Sequence, residues 1–415
     1  MELIDMDRAL LRGRYAVAAA STEALGTPID LELYDTIRQS TGPLRAQLIR
    51  QVDGDFGVYE QGSFRAALFE KYLLERGLQW PRLDSGKLRL DDDSFKDMAR
   101  AIPTIEPLRQ LRKTLATLHE LKLAVGADGR NRTALFPFSS QTGRNQPRSS
   151  QFIFGQPAWM RGLIQPKPGW ALAYVDFSQQ ELAIAAVLSG DKRMRAAYLS
   201  EDFYMTFAKM ARAVPSEATK HTHPLVRERF KTCALGVLFG MSATGMALRL
   251  GIAEIEAQRL LNAHKSAFPD FWRWSQNVAD YGMLGNPLHT VFGWKLHTTS
   301  MTKVRSIQNF PMQANGAEMM RLAHIRLIEL GIRVCAPVHD AFLVEAPTHE
   351  IEHIAAQTSA VMQWAGEVVL EGFKLRSEAK IIRSPERLLE SKGVPMWNMV
   401  VEMLGREDAK VGGMK

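Results

Sequence analysis

Two acids with a cationic helix between them are the residues of this chain best suited to chemistry. Asp176 follows the apolar run Trp170–Val175 in YVDFSQQELAIAAVLSGD (174–191), where a buried strand hands over to a segment of helical spacing. Asp340 lies in PVHDAFLVEA, between the apolar stretches VCAPV and AFLVEA, at the tip of an expected hairpin. Alone, either acid reads as a cap or a turn residue. On neighbouring strands, the pair can hold two Mg2+ ions about 3.5–4 Å apart, an arrangement suited to in-line phosphoryl displacement. Between them, RERFKTCALGVLFGMSATG (227–245) spaces Arg227, Lys231, Leu235 and Phe239 by four, so they share one slowly drifting helix face. Two cations lead and two apolar groups follow, so a triphosphate fits the first half and a base the second. Arg and Lys near a helix start oppose its dipole, which favours an anion beside them. The plainer alternative is a surface helix that dives into a core.

The elements that must position these residues follow from periodicity. Residues 1–126 read as mostly helical, with RAALFEKYLLERG and SFKDMARAI amphipathic and the charged loop WPRLDSGKLRLDDD (80–93) between them. Gly, Pro, Ser and Arg dominate 127–175, as in loops and short strands near a ligand. Helix returns over 178–284, broken at Pro215, Pro224 and Pro269, and GNPLHTVFGWKLHTT (285–299) reads as a turn and short hairpin. A helix over 303–330, the hairpin around Asp340, a further helix, a strand near LRSEAKII and a last helix around 395–404 complete the chain. No internal repeat or low-complexity tract is present.

Composition bounds the partners. A chain of 415 residues holds roughly two or three domain-sized units. Its 46% hydrophobic and 23% charged residues are ordinary for a soluble globular protein. No apolar run approaches the ~18 residues of a membrane span. Acids at positions 2, 5 and 7 argue against a signal or transit peptide. Two cysteines, Cys233 and Cys335, suit a reducing compartment and lack zinc-ligand spacing. The net charge of +7 is concentrated: 129–175 carries no acid but holds Arg130, Arg132, Arg144, Arg148, Arg161 and Lys167. A second stretch, 203–252, has seven Lys/Arg against Glu217 and Glu228. Such stripes suit a phosphate-backbone partner.

With these residues in view, the sequence resembles the family-A DNA polymerases. DFSQQE (176–181) looks like the family's motif A, Asp-Tyr-Ser-Gln-x-Glu, and 227–240 looks like motif B, with MSATG continuing the match. Val338-His339-Asp340 looks like motif C. RSIQNFPMQANGAE (305–318) is similar to the family's Arg-x3-Asn-x-Pro-Met-Gln segment, DGRNRTALFPFSSQTGR (128–144) to the stretch ending in Thr-Gly-Arg, and LGTPID (25–30) to its opening Gly-x-Pro-Ile-Asp. Together these motifs span nearly the whole chain in the family's order, which is far more specific than any one of them.

The resemblance implies roles residue by residue. Asp176 and Asp340 are the metal-binding catalytic aspartates, holding two Mg2+ ions. Glu181 lies under the incoming sugar and blocks a 2′-hydroxyl. Arg227 and Lys231 hold the triphosphate, and Lys231 protonates the departing pyrophosphate. Gln179 lines the nucleotide site, Phe239 takes the place of the motif B tyrosine near the templating base, and Tyr204 that of a frequent phosphate-region histidine. Arg144, Arg305, Asn309, Gln313 and His339 match positions that contact primer, template or the minor groove, where donors test pair geometry without reading sequence. Leu235 stands where the family has Phe or Tyr, Ala341 where motif C has Glu, and Pro337 where Gln is common.

An α+β right hand is therefore expected: a lead-in over 1–24, a helical thumb over 25–126, helical fingers over 191–302, and an antiparallel-sheet palm from 127–190 and 303–415. The implied function is template-directed DNA synthesis from deoxynucleoside triphosphates on primer-template DNA, in replication, repair or lesion bypass. A monomer in the cytoplasm of a bacterial or phage-infected cell, away from membranes, is expected. Only about 25 residues precede the thumb-like start, so neither a 3′–5′ exonuclease nor a 5′-nuclease domain is expected. Glu181 argues against a single-subunit RNA polymerase; both aspartates and Lys231 argue against a silent DNA-binding relative. A nuclease using the same acids would shorten primers rather than extend them.

Overall fold

In the computed structural model, which describes residues 5–412, the apolar run before Asp176 becomes the strand β1 (Trp170–Phe177), with Asp176 its penultimate residue. β2 (Arg333–Val338) and β3 (Ala341–Pro347) form the expected hairpin, and β4 (Ser377–Arg383) completes a sheet of order β4-β1-β3-β2. Val338 pairs with Ala341, so the turn consists of His339 and Asp340 alone. β1 is buried on both faces, with Ala171, Leu172, Ala173, Val175 and Phe177 all enclosed. An acid at its end is thus held by a strand that has nowhere to move.

By contact density the chain divides into two compact units. The first combines residues up to 24, 135–146 and 172–381. Its helices are α1 (Met6–Leu25), α2 (Gln180–Leu188), α3 (Lys192–Leu199), α4 (Phe203–Met210), α5 (Pro224–Leu238), α6 (Ala243–Leu250), α7 (Glu254–Ala267), α8 (Pro269–Met283), α9 (Val304–Glu329) and α10 (Ile351–Val369). Pro224 and Pro269 each begin a helix, where a missing N–H costs nothing. α9 runs through Pro311, whose carbonyl accepts the Asn315 side-chain amide at 2.8 Å. α9 is the spine of the unit, packing on α10, α2, α8 and β2. α1 binds it through Thr22 Oγ1 and His324 Nε2, 2.8 Å apart, and through the Arg14–Glu329 ion pair. A separate aromatic core, Phe203, Phe207, Phe230, His264, Phe268 and Phe271, joins α4, α5, α7 and α8.

The second unit takes 25–134, 147–171 and the chain from 382 on, so it contains the whole stretch expected as a thumb. Its helices include Leu31–Gln39, Thr41–Val52, Ala66–Glu75, Asp92–Ala101, Glu106–His119 and Val394–Met403. In LGTPID, Thr27 and Pro28 pair with Asn131 and Arg130. Asp30 then caps the first helix by accepting the Leu33 amide, and its other oxygen pairs with Arg387 at 2.7 Å. Trp159 and Trp397 centre the core around Gly162. Among the described residues no helix is long and apolar enough to cross a membrane.

Candidate active site

β1 and β3 are neighbours, so the ends that carry the two acids meet. The Phe177 amide donates to the Asp340 carbonyl at 3.1 Å. Burial, then the nearby charges of Asp340 and Glu378, push the Asp176 carboxyl up to about 6. Burial also raises Asp340, against the opposing pull of its own backbone amide, His339 and Arg144. Left-handed backbone, which non-glycine residues rarely adopt, occurs close to both acids: His339, just before Asp340, has φ 54°, and Gln179, three residues after Asp176, has φ 60°. Such strain persists only where the surroundings impose it. Gln179 precedes α2, and its side-chain Oε1 is buried without a hydrogen-bond partner.

Glu181, in the first turn of α2, accepts a hydrogen bond from Arg144 at 3.1 Å. Burial raises its carboxyl, Arg144 opposes that, and Asp340 adds to it. Arg144 is itself held by a chain of supports. The preceding Gly143 has φ 72°, and its carbonyl accepts Arg321 Nη1 at 2.6 Å. A Cβ at Gly143 would press on Arg321 and the Trp294 ring at 3.2 Å. Arg321 pairs with Glu318 at 2.8 Å, both buried, and Glu318 also accepts the Thr290 hydroxyl at 2.7 Å. Arg321, three residues beyond the 305–318 segment and paired with its Glu318, therefore braces the Thr-Gly-Arg loop.

On α5 the leading cation has a partner inside the protein. Arg227 Nε donates to Asp202, and its guanidinium lies over the Tyr204 ring, 5.3 Å from the centroid. Asp202 also caps α4, accepting the amides of Tyr204 and Met205 at 3.0 and 3.2 Å. Tyr204 is only 4% exposed, and burial pushes its hydroxyl up to about 12. It therefore supports Arg227 from beneath. Lys231, one turn on, lies 3.7 Å from Glu228 and is half-buried. These contacts of Arg227 and Lys231 are with Asp202, Tyr204 and Glu228, not with the two aspartates, although α5 packs on α2.

The rest of the helix face departs slightly from the expected stripe. α5 stops at Leu238, so the half-buried Leu235 is on its last turn and Phe239 caps its end, 41% exposed. Gly240 follows with φ 64°, and Arg305 packs against it. Asn309 lines a cavity of about 170 Å³ between the end of α5, α8 and α9, with its Oδ1 buried and unpartnered. Gln313, half-buried, stands one turn further along α9, and His339 is exposed at the hairpin tip.

Two functional candidates escaped sequence reasoning. Glu378 on β4 faces Asp176 electrostatically and accepts the Ser178 hydroxyl at 3.2 Å. Asp202 is the counter-ion of Arg227. Its only sequence signal is an acid immediately before an apolar helical run, which also marks any ordinary cap.

Oxygen ligands from two carboxylates suit a hard cation such as Mg2+, which usually takes one or two protein carboxylates and completes its shell with water and phosphate. Among the described residues no group of three His, Cys, Asp or Glu could hold an ion unaided. Asp176 and Asp340 thus fit an ion that arrives with a phosphate ligand, and a cation there would offset their mutual repulsion.

Comparisons with known proteins bear on the family and the fold. The model of DNA polymerase family A matches residues 31–383. The thermostable DNA polymerase I of Thermus thermophilus is 28% identical over 386 residues, covering 83% of this chain and 44% of the relative. The DNA polymerase I of Chloroflexus aurantiacus is 26% identical over 358 residues, covering 80% of this chain and 38% of the relative. The chain thus spans less than half the length of these curated relatives. Among solved structures, the POL domain of Pol1 from M. smegmatis, in complex with DNA primer-template and dNTP, has a TM-score of 0.70 at 22% identity, covering 89% of this chain and 69% of that one.

Proposed function

Because this chain belongs to DNA polymerase family A, we propose that it is a template-directed DNA polymerase extending a primer 3′ end with deoxynucleotides. The observation that carries this reading is the backbone bond between Phe177 and Asp340, which fixes two acids at adjoining strand ends. Asp176 and Asp340 would hold two Mg2+ ions, which when bound supply Lewis-acid stabilisation of the charge on the transferring phosphoryl group. Arg227, backed by Tyr204, presents its guanidinium to the triphosphate, and the Lys231 ammonium binds beside it and carries a proton for the departing pyrophosphate. Glu181, braced by Arg144, closes the space a 2′-hydroxyl would need. Arg305, Asn309, Gln313 and His339 contact the primer-template, and Phe239 meets the templating pair. Phosphate contacts dominate, so binding is sequence-independent and weakens with salt.

Primer extension tests the reading. With Mg2+ and all four deoxynucleotides, the wild-type chain lengthens a labelled primer as the template dictates, and Asp176→Asn does not. Primer shortening, or no change with wild type, overturns it. Gapped and lesion-bearing templates in the same assay separate repair and bypass from replication.

A further inference from the structure

The turn after Asp176 is gripped by residues outside the site. Tyr198, near the end of α3, is 0% exposed and donates its hydroxyl to the Ser178 carbonyl at 3.0 Å. The same oxygen accepts the Arg376 amide at 3.1 Å. Arg376 precedes β4, and its carbonyl takes the Ser178 amide at 2.8 Å. Its guanidinium donates to the carbonyls of Tyr198 and Ser200, at 2.8 and 2.9 Å, and lies 5.1 Å from the centroid of the Tyr198 ring. The end of a helix leaves carbonyls unpaired and favours a cation, so this guanidinium is well placed to hold α3. The Ser178 hydroxyl goes to Glu378. Every polar group of Ser178 is therefore committed to Tyr198 or to the start of β4.

That turn carries the site. Asp176 lies two residues before Ser178, the strained Gln179 follows Ser178, and Glu181 lies in the first turn of α2. A left-handed glutamine needs surroundings that over-determine it, and the knot of Tyr198, Arg376 and Ser178 provides them. We propose that Tyr198 and Arg376 are positioning residues for sugar discrimination. By fixing the Ser178 turn they set the depth of Glu181 beside the acids, although Tyr198 is buried too deeply to touch a nucleotide. The proposal rests on the reading of Glu181 as the sugar gate.

Tyr198→Phe removes one oxygen and keeps the ring against Phe373 and Arg376. Single-turnover incorporation of a deoxynucleotide and the matching ribonucleotide is measured for wild type, Tyr198→Phe, Glu181→Ala and the double variant, with melting temperatures alongside. Tyr198→Phe, which loses both hydrogen bonds of that oxygen, should cut the preference for deoxynucleotides about three- to tenfold and add nothing beyond about twofold to Glu181→Ala. Arg376→Lys, which keeps the cation but loses the two-carbonyl fork, should move the ratio the same way if Tyr198→Phe does not fold. A Tyr198→Phe or Arg376→Lys ratio within about twofold of wild type, whatever the melting temperature, overturns the positioning role while leaving the gate standing. An unchanged ratio in Glu181→Ala removes the gate, and the proposal with it.

Discussion

The residue after one acid is bonded to the other: Phe177 N–H meets Asp340 C=O at 3.1 Å. The two carboxylates are thus set by one sheet register rather than by flexible side chains reaching together. Asp176→Asn and Asp340→Asn should each abolish primer extension while leaving primer-template affinity within a few fold. Losing a metal-binding carboxylate costs several kcal/mol of transition-state stabilisation. A variant retaining more than about a tenth of the wild-type rate, worth only ~1.4 kcal/mol, would take that acid out of the chemistry.

Arg227 and Lys231 have different surroundings, so their removal should have different signatures. On the proposed reading, Arg227→Ala removes a braced guanidinium from the triphosphate and should raise nucleotide KM about tenfold or more. If its ammonium serves the leaving group as proposed, Lys231→Ala should lower kcat more than it raises KM. Steady-state kinetics of both variants distinguish the two roles. Equal losses confined to KM would assign Lys231 to binding alone.

Leu235, on the last turn of α5 just before the exposed Phe239, stands where the resemblance implies an aromatic and has no flat face. A ring there adds contact worth about 0.5–1.5 kcal/mol. Leu235→Phe and Leu235→Tyr should change correct-to-incorrect and natural-to-dideoxy selectivity by several fold at constant primer-template affinity. Selectivities within about twofold of wild type for both would make position 235 a volume-tolerant core site.

Two buried histidines make the first unit acid-sensitive. His264 accepts the Trp272 indole N–H at Nδ1, and His324 bonds Thr22; burial pushes both down to about 3. An unfolded histidine titrates near 6.5, so below that pH the unfolded chain takes up protons the folded one refuses. The stability they contribute is full above about pH 6.5 and declines as pH falls toward about 3. The loss is about 1.4 kcal/mol per pH unit per histidine. Urea midpoints between pH 7 and 5 should fall less steeply in His324→Gln than in wild type, against the opposite contribution of the Asp176, Asp340 and Glu181 carboxyls, which burial raises in the fold. Equal slopes in the two proteins would contradict this.

Gly162 leaves no room for a side chain, because a Cβ would enter the Trp397 ring. Gly162→Ala should destabilise the second unit by about 1–3 kcal/mol, the usual cost of overpacking. Thermal unfolding measures it, and an unchanged midpoint would mean that Trp397 moves freely.

Much of this was legible in the sequence because it is local. The strand before Asp176, the two-residue turn at Asp340 and the proline-started helices α5 and α8 each follow from residues within one turn of each other. The helix face of Arg227, Lys231 and Leu235 follows from spacing, but the helix's stop before Phe239 does not, because Gly240 ends it through a left-handed backbone. What stayed hidden is long-range. Asp202 opposite Arg227, Glu378 facing Asp176 and Arg376 on the Tyr198 hydroxyl are pairings between distant segments, each of which reads alone as a cap or a solvated strand edge. The assembly of each unit from three chain segments is hidden for the same reason.

The central position of β1 has a consequence for synthesis. Its neighbours in the sheet, β3 and β4, come roughly 160 and 200 residues later in the chain. At about 5–20 residues per second, the strand leaves the ribosome roughly 10–40 s before the second of them. Until β3 emerges WALAYV has both edges unpaired, and until β4 emerges one, with both faces apolar, which makes it a template for another nascent chain. The sheet that fixes the two acids so firmly is therefore assembled last and by its most distant parts. Such closure is slow in any topology dominated by non-local contacts. The time of greatest risk of aggregation for this protein falls during translation.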